Sequence, residues 1–315
     1  MSNYYNELIN SDISFEQIRK KYPHPSFLYK YQYFFDGSGN ENIYWQDSMR
    51  GIFHFSLPKE FEDKDDCKPI ISKKKILELF KEFLEENEGE DKKETVLQRL
   101  SDTITEEWLT GIQTNYQKDM YIGCLTDSPN NPEMWKKYSE NYTGYCMEYE
   151  VDACEVFAEN VFPVCYTDNK YDISHDVFAF LLLECQRDMK QYSIEESLKV
   201  FQPIYKKILK CSYIPVLIKN RIIWSFEKEW RVMLLKHRTV YCGIDSNGKE
   251  INRVIKSEDY LNGMNNIDTN GALKRVFLGK NFKNNPNAEQ INQKLRQLSK
   301  ERGFQIIEME GRREV

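Results

Sequence analysis

Residues 122–150 read IGCLTDSPNNPEMWKKYSENYTGYCMEYE, and the fold class follows from this stretch. Hydrophobicity alternates over Met120–Thr126 and more clearly over Gly144–Val151, where Tyr145, Met147, Tyr149 and Val151 share one face and Cys146, Glu148 and Glu150 take the other. A period of two marks a half-buried strand. Between the two runs lies Met134-Trp-Lys-Lys-Tyr138, whose large aromatics suit core or helix-to-sheet packing.

Toward the C-terminus, Phe162–Thr167 is expected to be the partner of the second strand. Helices follow over about Asp176–Lys190 and Ser193–Lys210, the latter opened by Ser193 with Glu196 in the capping position and bent at Pro203. Trp230–Leu235 reads as a short strand preceded by Glu227-Lys-Glu229. Asn247-Gly248, between Tyr241–Ile244 and Glu250–Ile255, predicts a hairpin. Strand Arg275–Leu278, a helix with Ile291, Leu295 and Leu298 on one face, a stop at Gly303 and strand Phe304–Glu308 complete a strand-helix-strand unit.

Toward the N-terminus, Ser14 and Gln17 form a capping box for a helix that ends before Pro23. Aromatic-rich Phe27–Phe35 suits a buried strand, Gly37–Asn40 a loop, and Gly51–Ser56 a second strand ended by Pro58. From Ser72 to Gln113 the apolar residues recur at helical spacing, Ile76, Phe80, Phe83 and Leu84 and then Val96, Leu100, Ile104, Trp108 and Ile112, which predicts a two-helix hairpin insertion. The expected architecture is a single α+β domain over 1–315 with a mixed or split β-sheet core and the 72–113 helical insertion within it.

The 315 residues carry 44 Lys+Arg against 50 Asp+Glu, a net charge of −6. Such a balance gives no long-range attraction to nucleic acid, although Tyr205–Arg221 and Lys294–Arg302 are locally basic. None of the eight cysteines stands in a C-x-x-C spacing, and no second histidine sits at ligand distance from His54, so no metal is expected. MSNYYNELINSD lacks the basic-then-apolar pattern of a signal peptide and no apolar run reaches membrane length. A soluble, cytoplasmic protein with reduced thiols and no membrane partner is expected.

Four segments embed charge among aromatics: Leu28-Tyr-Lys-Tyr31, Phe53-His-Phe-Ser56 with Phe61-Glu-Asp63, Met134–Tyr138, and Lys219–Arg231. In a low-dielectric lining a fixed charge counts for more. Lys30 reads either as a side chain snorkelling from a buried strand or as an anion or ribose contact. Glu227 and Glu229 fall on one strand face if the extension already holds there, and two such carboxylates demand cations, with Lys219, Arg221 and Arg231 as candidates. The pair serves equally as a salt-bridge network locking the strand. Phosphate loops, nucleophile elbows, HExxH and kinase signatures are missing, and Glu227-Lys228-Glu229 lacks the carboxylate-x-Lys order of a metal-dependent nuclease.

Taken together, LYKY (28–31), FHFSLPKEFED (53–63), the 122–150 stretch, VCYTD (164–168), KNRIIWSFEKEWRVML (219–234) and RVFLG (275–279) resemble the bacterial domain-of-unknown-function family DUF2971. Two positions depart from that pattern: Glu62-Asp63-Lys64 stands in place of Asn-Asp-Pro, and Lys136-Lys137 in place of Ser-His. The family's layout is similar to that of ADP-ribosyltransferase-type toxins. That resemblance implies an NAD-consuming toxin or antiphage effector with NAD as substrate and a protein or nucleic-acid acceptor. It also implies Glu229 as the carboxylate that stabilises an oxocarbenium-like state, Glu227 as the group acting on the acceptor, Lys30 and Tyr31 against the dinucleotide, and Ser56 supporting the glutamate. Tyr29, Trp135, Tyr138, Lys219 and Arg231 would complete the nucleotide-binding wall. The reading from another class is a noncatalytic sensor whose aromatic cleft takes a nucleotide, a peptide or a phage protein.

Overall fold

Tyr145 to Tyr149 are all buried, so the strand predicted to be half-buried is covered on both faces. Its place in the fold explains this. The computed structural model describes residues 2–10, 13–87, 90–118, 120–168, 170–189, 213–235, 237–244, 250–256, 266–269 and 271–309. In chain order the strands are β1 (Phe27–Gln32), β2 (Ile52–His54), β3 (Met120–Thr126), β4 (Tyr145–Glu150), β5 (Val161–Pro163), β6 (Cys165–Thr167) and β7 (Ile218–Asn220), then β8 (Glu229–Leu235), β9 (His237–Ile244), β10 (Glu250–Lys256), β11 (Asn266–Asp268), β12 (Leu273–Leu278) and β13 (Gln305–Glu308). Seven of them form one sheet in the order β13-β12-β4-β1-β3-β8-β5, antiparallel except for the β12/β13 pair. The fold is mixed α+β.

Packing divides the chain into two compact units. One comprises Met1–Tyr22, Phe61–Lys118 and Cys165–Ile222; the other comprises Pro23–Glu60, Asp119–Val164 and Ile223–Val315 and holds the seven-stranded sheet. In the sheet unit β4 sits between β12 and β1. Met147 and Tyr149 join Leu28, Leu125, Val276 and the helix residues Ile291, Leu295 and Leu298 in the main core on one side. Cys146 and Tyr31 meet Met134 and Trp135 of helix Pro132–Tyr138 on the other. Fully burying each large apolar side chain here contributes roughly 1.5–3 kcal/mol, so alternation marks which layer a residue joins, not whether it meets water.

The partner expected for β4 is corrected as well. Phe162–Thr167 is broken in two: β5 pairs with β8, and β6 belongs to the other unit, where it runs parallel to β7. β4 instead pairs with β1 and β12 over their lengths. The C-terminal strand-helix-strand unit forms as expected, with helix Ala288–Arg302 ending at Gly303 between two parallel strands.

In the other unit, Ser14 and Gln17 close the capping box of helix Phe15–Lys21. The 72–113 region is three helices, Lys73–Asn87, Glu90–Thr103 and Glu106–Lys118, where two were expected. The second break comes at Thr105, whose Oγ1 accepts the Trp108 N–H at 3.1 Å, the geometry of an N-cap. Ile76, Phe80, Ile104 and Leu109 pack with Ile173 and with Val177 of helix Ser174–Met189 as a separate core. The predicted 193–210 helix and the Asn247-Gly248 turn lie outside the described residues, although β9 and β10 pair antiparallel as a hairpin requires, Ile244 opposite Glu250.

Candidate functional site

Arg275, Glu148, Tyr29, Thr126 and Glu229 are successive Cα partners on β12, β4, β1, β3 and β8. Directly paired residues share a face of a sheet, so these five side chains form one polar row across the sheet. At one end Glu148 is buried and receives Arg275 through Nε and Nη2 at 2.5 and 2.6 Å. The Tyr29 hydroxyl donates to the same carboxylate at 3.0 Å. Burial, and after it the charge on Glu148, pushes the Tyr29 hydroxyl up to about 12, so it stays a donor at neutral pH. The hydrogen bond that Arg275 donates to Glu148 in turn raises the pKa of Arg275, whose guanidinium stays charged.

At the other end Glu229 is gripped by Arg231 Nε and Nη2 at 2.9 and 3.1 Å, and the two side chains are 5% and 0% exposed. Glu227 does not share a strand face with Glu229 as the sequence suggested. It closes a 3-10 turn, Ser225–Glu227, and Lys228 then takes a left-handed φ of 45° before β8 begins. That turn is pinned from three sides. Thr126 Oγ1 donates to the Glu227 carbonyl at 2.6 Å, Asn131 Nδ2 donates to the Phe226 carbonyl, and the Tyr138 hydroxyl donates to the Glu227 carboxylate in a short hydrogen bond. Burial, followed by the charges of Glu227 and Glu229, drives the Tyr138 hydroxyl far above its ordinary pKa. The Glu227 carboxylate is thus turned to Tyr138, while Glu229 is enclosed by Arg231.

The remaining sequence-nominated residues fall in different surroundings. Tyr31 is buried, donates to the Ser128 carbonyl at 2.9 Å, and meets Trp135 edge-on at 5.1 Å. Trp135 is 1% exposed, with its indole N–H on the Pro129 carbonyl at 2.8 Å, which makes it a packing residue. Lys219 belongs to the other unit, where its Nζ lies 3.7 Å from the buried Asp66.

Lys30 projects beside the point where β1 and β3 part. Those strands pair only at Tyr29 and Thr126. Farther along, Ser56 takes the freed edge of β3, exchanging both backbone hydrogen bonds with Ile122 at 3.0 and 2.9 Å. The Lys30 ammonium stands 4.3 Å over the Phe53 ring and donates to the His54 carbonyl at a long 3.4 Å, with no carboxylate in ion-pair range among the described residues. Its pKa is lowered by burial. His54 itself is satisfied, as expected for a strand histidine, with Nδ1 2.7 Å from Asn266 Oδ1 and its ring stacked on Tyr44.

Sequence reasoning passed over Glu148, Arg275, Thr126 and Asn131. The available signal was Glu148 itself, a carboxylate inside a run of Tyr, Cys and Met; its partner is 127 residues away and carries no local mark. Among the described residues no three His, Cys, Asp or Glu side chains gather as a metal set. No described helix is long and apolar enough to cross a membrane.

Residues 134–232 match the model of a family described as a protein of unknown function, DUF2971. The matched segment runs from within helix Pro132–Tyr138 into β8 and so contains Tyr138, Glu227, Glu229 and Arg231. No curated protein and no solved structure matches the chain.

Proposed function

We propose that this chain is a noncatalytic recognition module for an anionic, nucleotide-type ligand, with Lys30 as the charge that meets it. The observation that carries this reading is the setting of that lysine. It is a part-buried ammonium on an aromatic ring, beside the parting of two strands, and its one hydrogen bond among the described residues is a long one to a carbonyl. A part-buried cation without a counter-charge costs stability, and an incoming phosphate supplies what is missing. Glu229, by contrast, already has its carboxylate filled by Arg231. Calorimetric titration with NAD and ADP-ribose, run beside a nicotinamide-release assay, tests the proposal. Saturable binding that is lost in Lys30→Met, with no nicotinamide formed, is the expected result; turnover, or binding unchanged in Lys30→Met, overturns it.

A second reading is an NAD-consuming enzyme of ADP-ribosyltransferase type, in a toxin or antiphage setting, with a protein or nucleic-acid acceptor. What favours it is the gathering of Glu227, Glu229 and Tyr138 around Thr126, at the joint from which the sheet splits. It requires label transfer from NAD that disappears in Glu229→Gln while the fold is retained.

A further inference from the structure

Glu140, Asn141 and Tyr142 have φ values of 46°, 52° and 70°, three consecutive residues other than glycine in the left-handed region. Single residues visit that region; runs of them do not, because each Cβ crowds the following carbonyl. Strain of this kind persists only where the surroundings over-determine it, and it collects at sites with a task. Here the surroundings do so. Asn281 grips the loop twice, its N–H on the Tyr142 carbonyl at 3.1 Å and its Nδ2 on the Asn141 carbonyl at 2.9 Å. A Cβ on Gly279 would lie 2.1 Å from the Tyr142 carbonyl oxygen, and one on Gly144 would lie 2.3 Å from the Gln32 carbonyl oxygen, so both approaches need glycine.

The strained loop holds one ring in place. Tyr142 lies parallel to the buried Trp135, 7° between planes and 5.5 Å between centroids. Against that fixed ring stands Lys280, exposed, with its ammonium 4.7 Å from the centroid and no carboxylate in ion-pair range among the described residues. A rigid half-buried aromatic face next to a mobile-stemmed cation matches the two halves of a nucleotide: the base stacks, and the phosphate takes the charge.

We infer that Tyr142 and Lys280 form a stacking site for a nucleobase with its phosphate, separate from Lys30 and resting on different observations. The base replaces the ammonium over the tyrosine ring, and Lys280 swings out to the phosphate. Free nucleotides and single-stranded nucleic acid share this chemistry, and the test separates them.

The measurement is equilibrium binding of AMP, of inorganic phosphate and of a short single-stranded oligonucleotide to the full chain and three variants. Lys280→Ala alters an exposed side chain and leaves folding alone. Tyr142→Leu removes the ring and Tyr142→Phe keeps it. The expected result is AMP or oligonucleotide binding weakened on the order of tenfold in Lys280→Ala and Tyr142→Leu, and unchanged in Tyr142→Phe. Which of AMP and the oligonucleotide binds more tightly identifies the source. Inorganic phosphate binding as tightly as AMP overturns the stacking role. Binding unaffected by Lys280→Ala overturns the site while leaving the Lys30 proposal standing.

Discussion

Arg231 holds Glu229 through two parallel N–H contacts, and both side chains are buried. The two residues are two apart on one strand, so their side chains leave the same face and the pair closes within β8 itself. A carboxylate bound in this way stiffens the strand's first turn of pleat and stabilises a buried cation.

Glu229→Gln is therefore expected to act first on stability. Removing the negative charge takes the bidentate carboxylate away from the buried Arg231 guanidinium, a loss on the order of 3 kcal/mol. Denaturant unfolding monitored by circular dichroism measures it. A variant as stable as the wild type that has lost an NAD-dependent activity would move the balance to the enzymatic reading.

Arg275→Met is expected to strand Glu148, which is 1% exposed while Arg275 is 40% exposed. A destabilisation of roughly 3 kcal/mol follows from a buried carboxylate that keeps only the Tyr29 hydroxyl and no counter-charge among the described residues. Arg275→Lys recovers only part of this, because an ammonium cannot reproduce the two-pronged contact. Pairing Arg275→Met with Glu148→Met removes both charges and should restore much of the loss, which a double-mutant cycle reads directly.

Lys30→Met should raise stability at pH 7 by about 1 kcal/mol while abolishing anion binding, because it removes an ill-compensated charge and keeps the apolar stem. The pH dependence has a defined sign. With the folded pKa below the ordinary 10.5, the unfolded chain carries more protons between the two values. Wild-type stability therefore rises with pH through that window, and the advantage of Lys30→Met shrinks. Thermal unfolding from neutral pH to about pH 10 shows it; parallel curves for the two proteins would contradict the assignment.

The 140–142 loop gives opposed outcomes for two glycine changes. Gly279→Ala should cost roughly 1–3 kcal/mol, since backbone rather than a yielding side chain faces the added methyl. Glu140→Gly should gain up to about 1 kcal/mol by relieving a left-handed residue. Midpoints of chemical denaturation compare the two.

Local pattern settled more of the fold than of the site. The capping box at Ser14 and Gln17, the strands read at 27–35, 120–126 and 230–235 and found over 27–32, 120–126 and 229–235, and the strand-helix-strand close of the chain all follow from composition, periods and caps spanning a few residues. Alternation in 145–150 also sorted the side chains onto their two faces correctly. What it could not carry was burial, because the polar face of β4 is covered by a helix that the same stretch supplies. The Thr105 break was written in an ordinary N-cap and was hidden by apolar spacing that continues across it.

The charges were decided by tertiary structure. Sequence placed Glu227, Glu229 and Arg231 within five residues and left a salt-bridge network and a catalytic pair equally open. Only the left-handed Lys228 and the fork of Arg231 distinguish the two carboxylates, one turned to Tyr138 and one enclosed. Glu148 and Arg275 met through strand pairing across 127 residues of chain. Periodicity determines which face of an element a side chain takes; which opposite charge awaits it there depends on the order of strands in the sheet, and no local spacing encodes that order.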